Sequence, residues 1–326
     1  MLALQNDAGM VVRVCDVGAS LASIRVPDRH GESGEVLLGF DTREAYLDNP
    51  NYFGTTVGRY AGRIGQGRLR LDGGEFRLHP NLGDHHLHGG PSGFSHRPWA
   101  TDGLVRTADG LPEVAFSLHS PAGDQGYPGN VDVSVTYRLE ADNRLRILFR
   151  GSTDAPTHLS LTNHAYFNLA GRGEVGEHRL RLAARRYLPL GEGAIPTGEL
   201  RAVDGTAWDF REGKALFRDR PSYDHCFLVD RWQTRANDPQ ECAWVVEPVT
   251  GRTLTVATTL PGIQFYTPDF DAGTSGRGPD GYHGREGFCL EAQFLPDSPN
   301  HPHFPSTRLD PGAEWEHETV FAFGTE

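Results

Sequence analysis

The chain has 326 residues, with 43 acidic and 31 basic side chains and a formal net charge of −12 at pH 7. No block of Lys and Arg occurs along it, so the clustered basic face that nucleic acids require is not expected. Its 40 glycines and 22 prolines are spread between short apolar runs, a composition typical of many short strands joined by turns.

No apolar run reaches the ~20 residues that cross a membrane as a helix, so no membrane partner is expected. Residues 1–8 lack the basic start and apolar core of an export signal. The four cysteines form no CxxC pair and lie at Cys15, Cys226, Cys242 and Cys289. We therefore expect a cytoplasmic protein whose thiols are reduced and mostly structural.

Taken in chain order, the sequence predicts strands at 11–15, 22–26 and 35–39, then one short helix at 42–47. Three hairpins are predicted around turns at 72–74, 140–143 and 248–252. Their paired strands are 68–71 with 75–79, 131–139 with 144–149, and 244–247 with 253–257. These strands alternate with period two and lack crossover helices, which favours an all-β sandwich or barrel.

One apolar run near the C-terminus, 287–295, carries a single acid, Glu291. Glycine precedes it and four prolines follow, a pattern that predicts a buried strand leaving its sheet into an ordered loop. A buried carboxyl group must find a partner or have its pKa raised, and both outcomes suit a general base. A structural ion pair with an arginine is the alternative. The loop at 273–281 is either mobile beside a site or a plain surface loop.

Two earlier stretches carry candidate binding groups. Arg59 and Arg63 stand among glycines, where a guanidinium group can hold a ligand or a structural carboxylate. His85, His86 and His88 lie close enough in sequence to suggest a metal, but no HExxH or CxxC pattern accompanies them. We therefore favour donors facing the oxygens of a sugar or another small molecule.

Two further stretches carry polar groups in apolar surroundings. His164 is flanked by aromatic residues and suits an acid or base near neutral pH, although a core histidine is the alternative. Asp224 begins an apolar strand and can accept hydrogen bonds from a polyol, and Gln264 can both donate and accept. Each can equally be a turn cap or a core polar group. Aromatic residues that can stack on a sugar are Phe167, Phe227, Phe265 and Tyr266.

Six segments, taken in this order, resemble the galactose mutarotase, or aldose 1-epimerase, family. They are GRYAGRI (58–64), LHGG (87–90), TNHAYFNLAG (162–171), YDH (223–225), LPGIQFYT (260–267) and CLEAQ (289–293). The ending, 304–323, is similar to the closing segment of that family. The resemblance implies one large antiparallel β-sandwich over 1–326, the galactose mutarotase-like supersandwich, with few short helices.

The resemblance also implies the chemistry. The family interconverts the α and β anomers of free aldohexoses such as galactose or glucose, without cofactor or metal, as a monomer or homodimer. Its catalytic base falls on Glu291, its catalytic acid on His164 and a second active-site histidine on His88. The residues that hold the sugar fall on Arg63, Asp224 and Gln264.

Two departures from the family pattern bear on sugar preference. Gly62 stands where the family often has Asn, and Pro268-Asp269 stands where many members have Gly-Asn. The alternatives are a carbohydrate-binding module without activity and a sugar-active enzyme of another reaction. A hydrolase requires two opposed carboxylates, for which Glu291 and Asp224 are candidates, but His164 then lacks a role.

Overall fold

The fold is known from a computed structural model, which describes residues 1–220, 222–230, 232–233 and 238–326. The strands, in chain order, are β1 Leu2–Gln5, β2 Val11–Cys15, β3 Ser20–Pro27, β4 Ser33–Glu35, β5 Thr56–Val57, β6 Arg63–Ile64, β7 Arg68–Leu71, β8 Gly74–Arg77, β9 His86–Leu87, β10 Leu104–Arg106, β11 Pro112–Ser120, β12 Val131–Leu139, β13 Arg144–Thr153, β14 Thr157–His158, β15 Thr162–Asn163, β16 Tyr166–Phe167, β17 Arg179–Leu182, β18 Arg186–Tyr187, β19 Arg201–Ala202, β20 Lys214–Ala215, β21 Asp224–Leu228, β22 Gln240–Val246, β23 Arg252–Thr258, β24 Gly262–Tyr266, β25 Phe270–Thr274, β26 Tyr282–Gly284, β27 Phe288–Gln293, β28 Arg308–Leu309 and β29 Trp315–Thr325.

Helical structure in the described residues is limited to short 3-10 turns. They are Glu44–Leu47, Gly65–Gly67, Phe94–His96, Asp124–Gly126, Glu192–Ala194 and Ser298–Asn300. None of the helices described is long and apolar enough to span a bilayer. The prediction of an all-β chain with few short helices is confirmed.

Three antiparallel sheets dominate the architecture. The largest has nine strands in the order β10-β11-β12-β13-β29-β23-β22-β17-β20. A six-stranded sheet has the order β16-β27-β24-β21-β18-β19, and the N-terminal sheet has the order β1-β2-β3-β4. Their inward side chains meet in one apolar core, to which the three sheets contribute, for example, Ile147, Phe265 and Val12. Packing against this shared core holds the six-stranded sheet in a defined position, and this sheet carries the candidate site.

The three predicted hairpins are present, because β7 pairs with β8, β12 with β13 and β22 with β23. The prediction of a strand at 35–39 is wrong. The nearby strand, β4, ends at Glu35, and the next residues divide their backbone bonds between two partners. The amide of Val36 donates to the Ile24 carbonyl and that of Leu38 to the Tyr166 carbonyl, each at 2.9 Å. An apolar run indicates burial but not which strand it pairs with.

The glycine-rich segment 273–281 connects β25 and β26, which pair as a hairpin. The guanidinium of Arg277 binds the Asp41 carboxylate at 2.7 Å, and the Tyr282 hydroxyl donates to the Gly39 carbonyl at 3.0 Å. The segment is therefore anchored to the N-terminal part of the chain. All four cysteines are buried and free.

Candidate functional site

Strand β27 organises the site, because it lies between β16 and β24 and all of its residues are buried. Side chains on a strand alternate between its two faces. Phe288, Leu290 and Ala292 join the main apolar core. Glu291 and Gln293 therefore face the opposite side of the sheet, where both line a cavity.

The neighbouring strands place two polar groups beside Glu291. In β24, Gln264 is directly opposite Glu291, and in β21, Asp224 is opposite Tyr266. The Gln264 amide donates to Asp224 Oδ1 at 2.6 Å, and Arg63 Nη2 donates to Asp224 Oδ2 at 3.1 Å. Asp224 is thus held in one orientation by an amide and a guanidinium group.

His164 directly follows the short strand β15. Its backbone amide donates to the Thr55 carbonyl and its carbonyl accepts from the Gly54 amide, each at 2.9 Å. The imidazole ring stacks on Tyr166, with ring centres 4.9 Å apart and planes 15° apart. Its Nε2 lies 3.7 Å from Glu291 Oε2, and the two side chains are only 5% and 3% exposed. A carboxyl group and an imidazole therefore face each other where solvent has little access.

Arg63 begins β6 and His88 directly follows β9, the strand with which β6 pairs, and both side chains line the same cavity. His88 Nδ1 accepts a hydrogen bond from the Gly62 amide at 3.2 Å. An accepting Nδ1 makes the neutral ring carry its proton on Nε2. The His88 ring centre lies 5.3 Å from that of His164, so the two imidazoles line one wall.

These side chains enclose a cavity of about 220 Å³. It is lined by the six residues predicted for the site, Glu291, His164, His88, Arg63, Asp224 and Gln264, and also by Tyr52, Tyr166, Tyr266, Gln293 and Pro296. Larger grooves of about 820 and 870 Å³ lie elsewhere and contain neither Glu291 nor His164, although the second shares Arg63. The polar groups converge in the smaller cavity.

Burial controls the electrostatics of the pair. It raises the pKa of Glu291 well above its ordinary value, with a further contribution from Asp224 that Arg63 opposes. It lowers the pKa of His164 to about 4. The pKa of His88 is also lowered well below its usual range, by burial first and then by His164 and Arg63. Without a ligand, the proton of the Glu291–His164 pair therefore resides on Glu291.

Several residues considered from the sequence lie outside the cavity. Arg59 is buried and donates to the Ser120 hydroxyl at 3.0 Å, which makes it structural. His85 accepts from the Gln66 amide at 3.1 Å, and His86 bonds the Tyr127 hydroxyl at 2.7 Å. The three predicted histidines do not converge on one point. Of the four candidate stacking aromatics, only Tyr266 lines the cavity, and the other three are fully buried core residues: Phe167, Phe227 and Phe265.

One group of potential metal ligands is present among the described residues. One ligand atom each from His164, Cys289 and Glu291 lies within 4.8 Å of the others. Burial raises the pKa of the Cys289 thiol well above its ordinary value, which disfavours the thiolate that metals bind. We interpret the group as an acid–base pair with a neighbouring thiol, whose Sγ is 3.6 Å from His164 Nδ1.

Gln293 and Tyr52 are among the cavity residues that escaped the sequence-based reasoning. Gln293 is two residues after Glu291, and the alternation of a strand is a signal that places both on one face. Tyr52 lies in a loop and stacks over His164 with ring centres 6.0 Å apart. No local pattern distinguishes Tyr52 from other loop tyrosines, because its position depends on the packing of distant segments.

Solved structures share this fold. An aldose epimerase homologue from C. elegans has a TM-score of 0.91 at 32% identity, over 99% of this chain and 98% of that one. Galactose 1-epimerase from Lactobacillus acidophilus has a TM-score of 0.86 at 29% identity, over 99% and 93%. The fold and the buried acid–imidazole pair therefore define a galactose mutarotase-like β-sandwich.

Sequence comparison identifies the family of this chain within that structural class. The family model described as Aldose 1-epimerase matches residues 1–322. The aldose 1-epimerase of Escherichia coli K12 is 41% identical over 100% of this chain and 95% of its own length. The galactose mutarotase of Bos taurus is 41% identical over 98% and 92%. The chain belongs to the aldose 1-epimerase family, a family of isomerases, and the resemblance noted in the sequence is confirmed.

Proposed function

We propose that this protein interconverts the α and β anomers of a free aldohexose, such as galactose or glucose, by acid–base ring opening. The observation that carries the proposal is the 3.7 Å approach of His164 Nε2 to Glu291 Oε2 inside a cavity of about 220 Å³. Ring opening needs one group that removes a proton and another that supplies one, both within reach of the same ring.

In the proposed reaction, Glu291 removes the proton of the anomeric hydroxyl while His164 donates a proton to the ring oxygen. The bond between the anomeric carbon and the ring oxygen breaks as the carbonyl forms. Rotation about the C1–C2 bond exposes the other face of the aldehyde. The same two groups in reversed roles then close the ring. His88 faces the sugar as a further donor.

The pair changes its proton distribution once in each half of the cycle. Before ring opening, Glu291 is ionised and His164 is protonated, whereas in the open-chain state Glu291 carries the proton and His164 is neutral. The second distribution is the one that burial favours in the unliganded cavity, since it contains no charge. Sugar hydroxyls must therefore help stabilise the charged distribution before the chemical step.

Asp224, Arg63 and Gln264 are proposed to hold the sugar. Asp224 retains lone pairs for hydroxyl groups, while the Gln264 amide oxygen and Arg63 Nε are buried without a partner among the described residues. Such groups gain hydrogen bonds when a polyol enters. Fixing the ring brings both proton transfers within reach.

Polarimetry with fresh α-galactose or α-glucose tests the proposal. A rate of optical change above the spontaneous one, proportional to protein concentration, supports it. Binding of the sugar in calorimetry without acceleration would instead identify a carbohydrate-binding module.

Replacing Asp224 by Asn is expected to raise KM about 10–100-fold with a smaller change in kcat. A hydrogen bond to a charged group contributes ~1.5–3 kcal/mol, and Asn keeps the size while it removes the charge. Steady-state polarimetry measures both constants, and the exposed Asp102→Asn is the control. A fall in kcat at constant KM would show that Asp224 acts in the chemical step and not in holding the sugar.

Removal of metal ions is expected to leave the activity unchanged. The proposed proton transfers use side chains alone, and His85, His86 and His88 do not converge on one point. Dialysis against EDTA followed by polarimetry checks this expectation. Loss of activity that added Zn²⁺ or Mn²⁺ restores would contradict the proposed mechanism.

A further inference from the structure

Gln293 has a side chain whose polar atoms have no evident use in the free protein. It is 1% exposed. Both its amide nitrogen and its amide oxygen are buried without a hydrogen-bond partner among the described residues. Leaving a buried polar group unpaired costs ~1–3 kcal/mol, so an amide unpaired at both ends indicates a partner that arrives from outside the fold.

The position of Gln293 shows where that partner comes from. Gln293 lies on the same face of β27 as Glu291 and lines the same cavity. Its amide nitrogen is 3.4 Å from the position that a Cβ at Gly62 would take. Because Gly62 has no side chain, nothing from this residue covers the end of the amide.

A larger residue at position 62 would crowd its surroundings. An added Cβ would lie 3.0 Å from the Pro296 ring, and the backbone φ of +79° disfavours residues other than glycine. The absence of a side chain at Gly62 therefore leaves space beside the Gln293 amide. The partner that satisfies the amide must be water or ligand.

The hydrogen-bonding groups of the Gln293 amide indicate which hydroxyls of a sugar it can bind. Residues two apart on one strand face are separated by ~6.6 Å, so Gln293 contacts a different part of a pyranose from the anomeric centre beside Glu291. A primary amide offers a donor and an acceptor side by side. Two hydroxyls on adjacent ring carbons offer the matching acceptor and donor.

We infer that Gln293 is a sugar-binding residue whose amide forms hydrogen bonds with two adjacent ring hydroxyls among those on C2, C3 and C4. It thereby contributes to the preference for one aldose over another. The inference rests on the proposed mutarotase function and names a further recognition residue in that cavity. It requires that loss of the amide affect substrates that carry both contacted hydroxyls more than substrates that lack one of them.

Gln293→Met tests this inference, because it keeps the length of the side chain and removes both polar atoms. We expect kcat/KM for the better of galactose and glucose to fall about 10-fold, equivalent to ~1.4 kcal/mol. For a deoxy analogue that lacks one of the two contacted hydroxyls, the other hydrogen bond to the amide remains, so parent and variant should differ by about 3-fold, half of the free energy. The 6-deoxy sugar should retain the full 10-fold difference.

The series of 2-, 3-, 4- and 6-deoxy sugars separates recognition from structural damage. An equal loss on every sugar, or no loss on any, would overturn the inference. If Gln293→Met does not fold, Gln293→Asn keeps the amide but withdraws it by one methylene and supports the same comparison. The exposed Gln5→Met is the matched control. If the parent protein accelerates no sugar, the proposed function itself fails, whereas activity without the deoxy-sugar pattern removes only the role of Gln293.

Discussion

Replacing Glu291 by Gln is expected to lower kcat for mutarotation by about 10²–10⁴-fold, the range typical of one positioned proton transfer. The amide keeps the shape of the carboxyl group but cannot take the anomeric proton. Sugar binding should survive, because Arg63 and Asp224 keep their 3.1 Å contact. Polarimetry measures the loss and calorimetry the retained binding, with the exposed Glu314→Gln as control.

The same variant should be more stable than the parent protein above pH 4.5. Burial raises the folded-state pKa of Glu291 well above the ordinary 4.5. Its contribution to stability is therefore fully present below pH 4.5 and is lost as the pH rises through the folded pKa. A glutamine mimics the uncharged acid at every pH.

Thermal unfolding at several pH values tests whether the variant is indeed more stable than the parent. We expect the Tm of Glu291→Gln to exceed that of the parent by a margin that grows as the pH rises from 5 towards the folded-state pKa of Glu291 and then stays constant. The free-energy difference rises by at most ~1.4 kcal/mol per pH unit. A variant that is less stable at pH 8 would show that the carboxylate is held favourably in the folded protein, contrary to the effect of burial.

Replacing His164 by Asn is expected to lower kcat by about 10²–10⁴-fold with a smaller effect on KM. The ring supplies the proton for the ring oxygen, and an asparagine amide has no acidity near neutral pH. The exposed His30→Asn provides the control. Activity within a few-fold of the parent would transfer the acid role to another group, of which His88 is the nearest imidazole at 5.3 Å.

The pH profile of the parent enzyme follows from the same burial. In the free enzyme the active state of the pair carries one proton, which resides on Glu291. Protonation of His164, whose pKa is lowered to about 4, adds a second proton and leaves no base, so kcat/KM should show an acid limb near pH 4 and no inflection near 6.5, where an exposed histidine titrates. The other titratable groups around the ring are Glu291, His88, Cys289, Tyr52, Tyr166 and Tyr266. Burial also lowers the pKa of His88, so it adds no inflection at 6.5. A midpoint near 6.5 would show that His164 is more hydrated than its enclosure implies.

The sequence by itself determined the local structure. Hairpins at β7–β8, β12–β13 and β22–β23 follow from period-two alternation and turn residues, which act over a few positions. The prediction of a strand at 35–39 is wrong because the hydrogen-bond partners of Val36 and Leu38 come from distant segments, which local alternation does not identify. The family segments identified the six candidate site residues, and the structure brings all six to one cavity.

Periodicity and composition do not separate polar groups of similar local context, and the tertiary structure shows which of them reach that cavity. Arg59 and Arg63 stand in the same glycine-rich segment, yet Ser120 holds one in the core and Asp224 holds the other at the cavity. The proton distribution of Glu291 and His164 likewise depends on enclosure by residues distant in sequence. Desolvation acts through the whole surroundings of a group, whereas sequence periodicity reports only its neighbours along the chain.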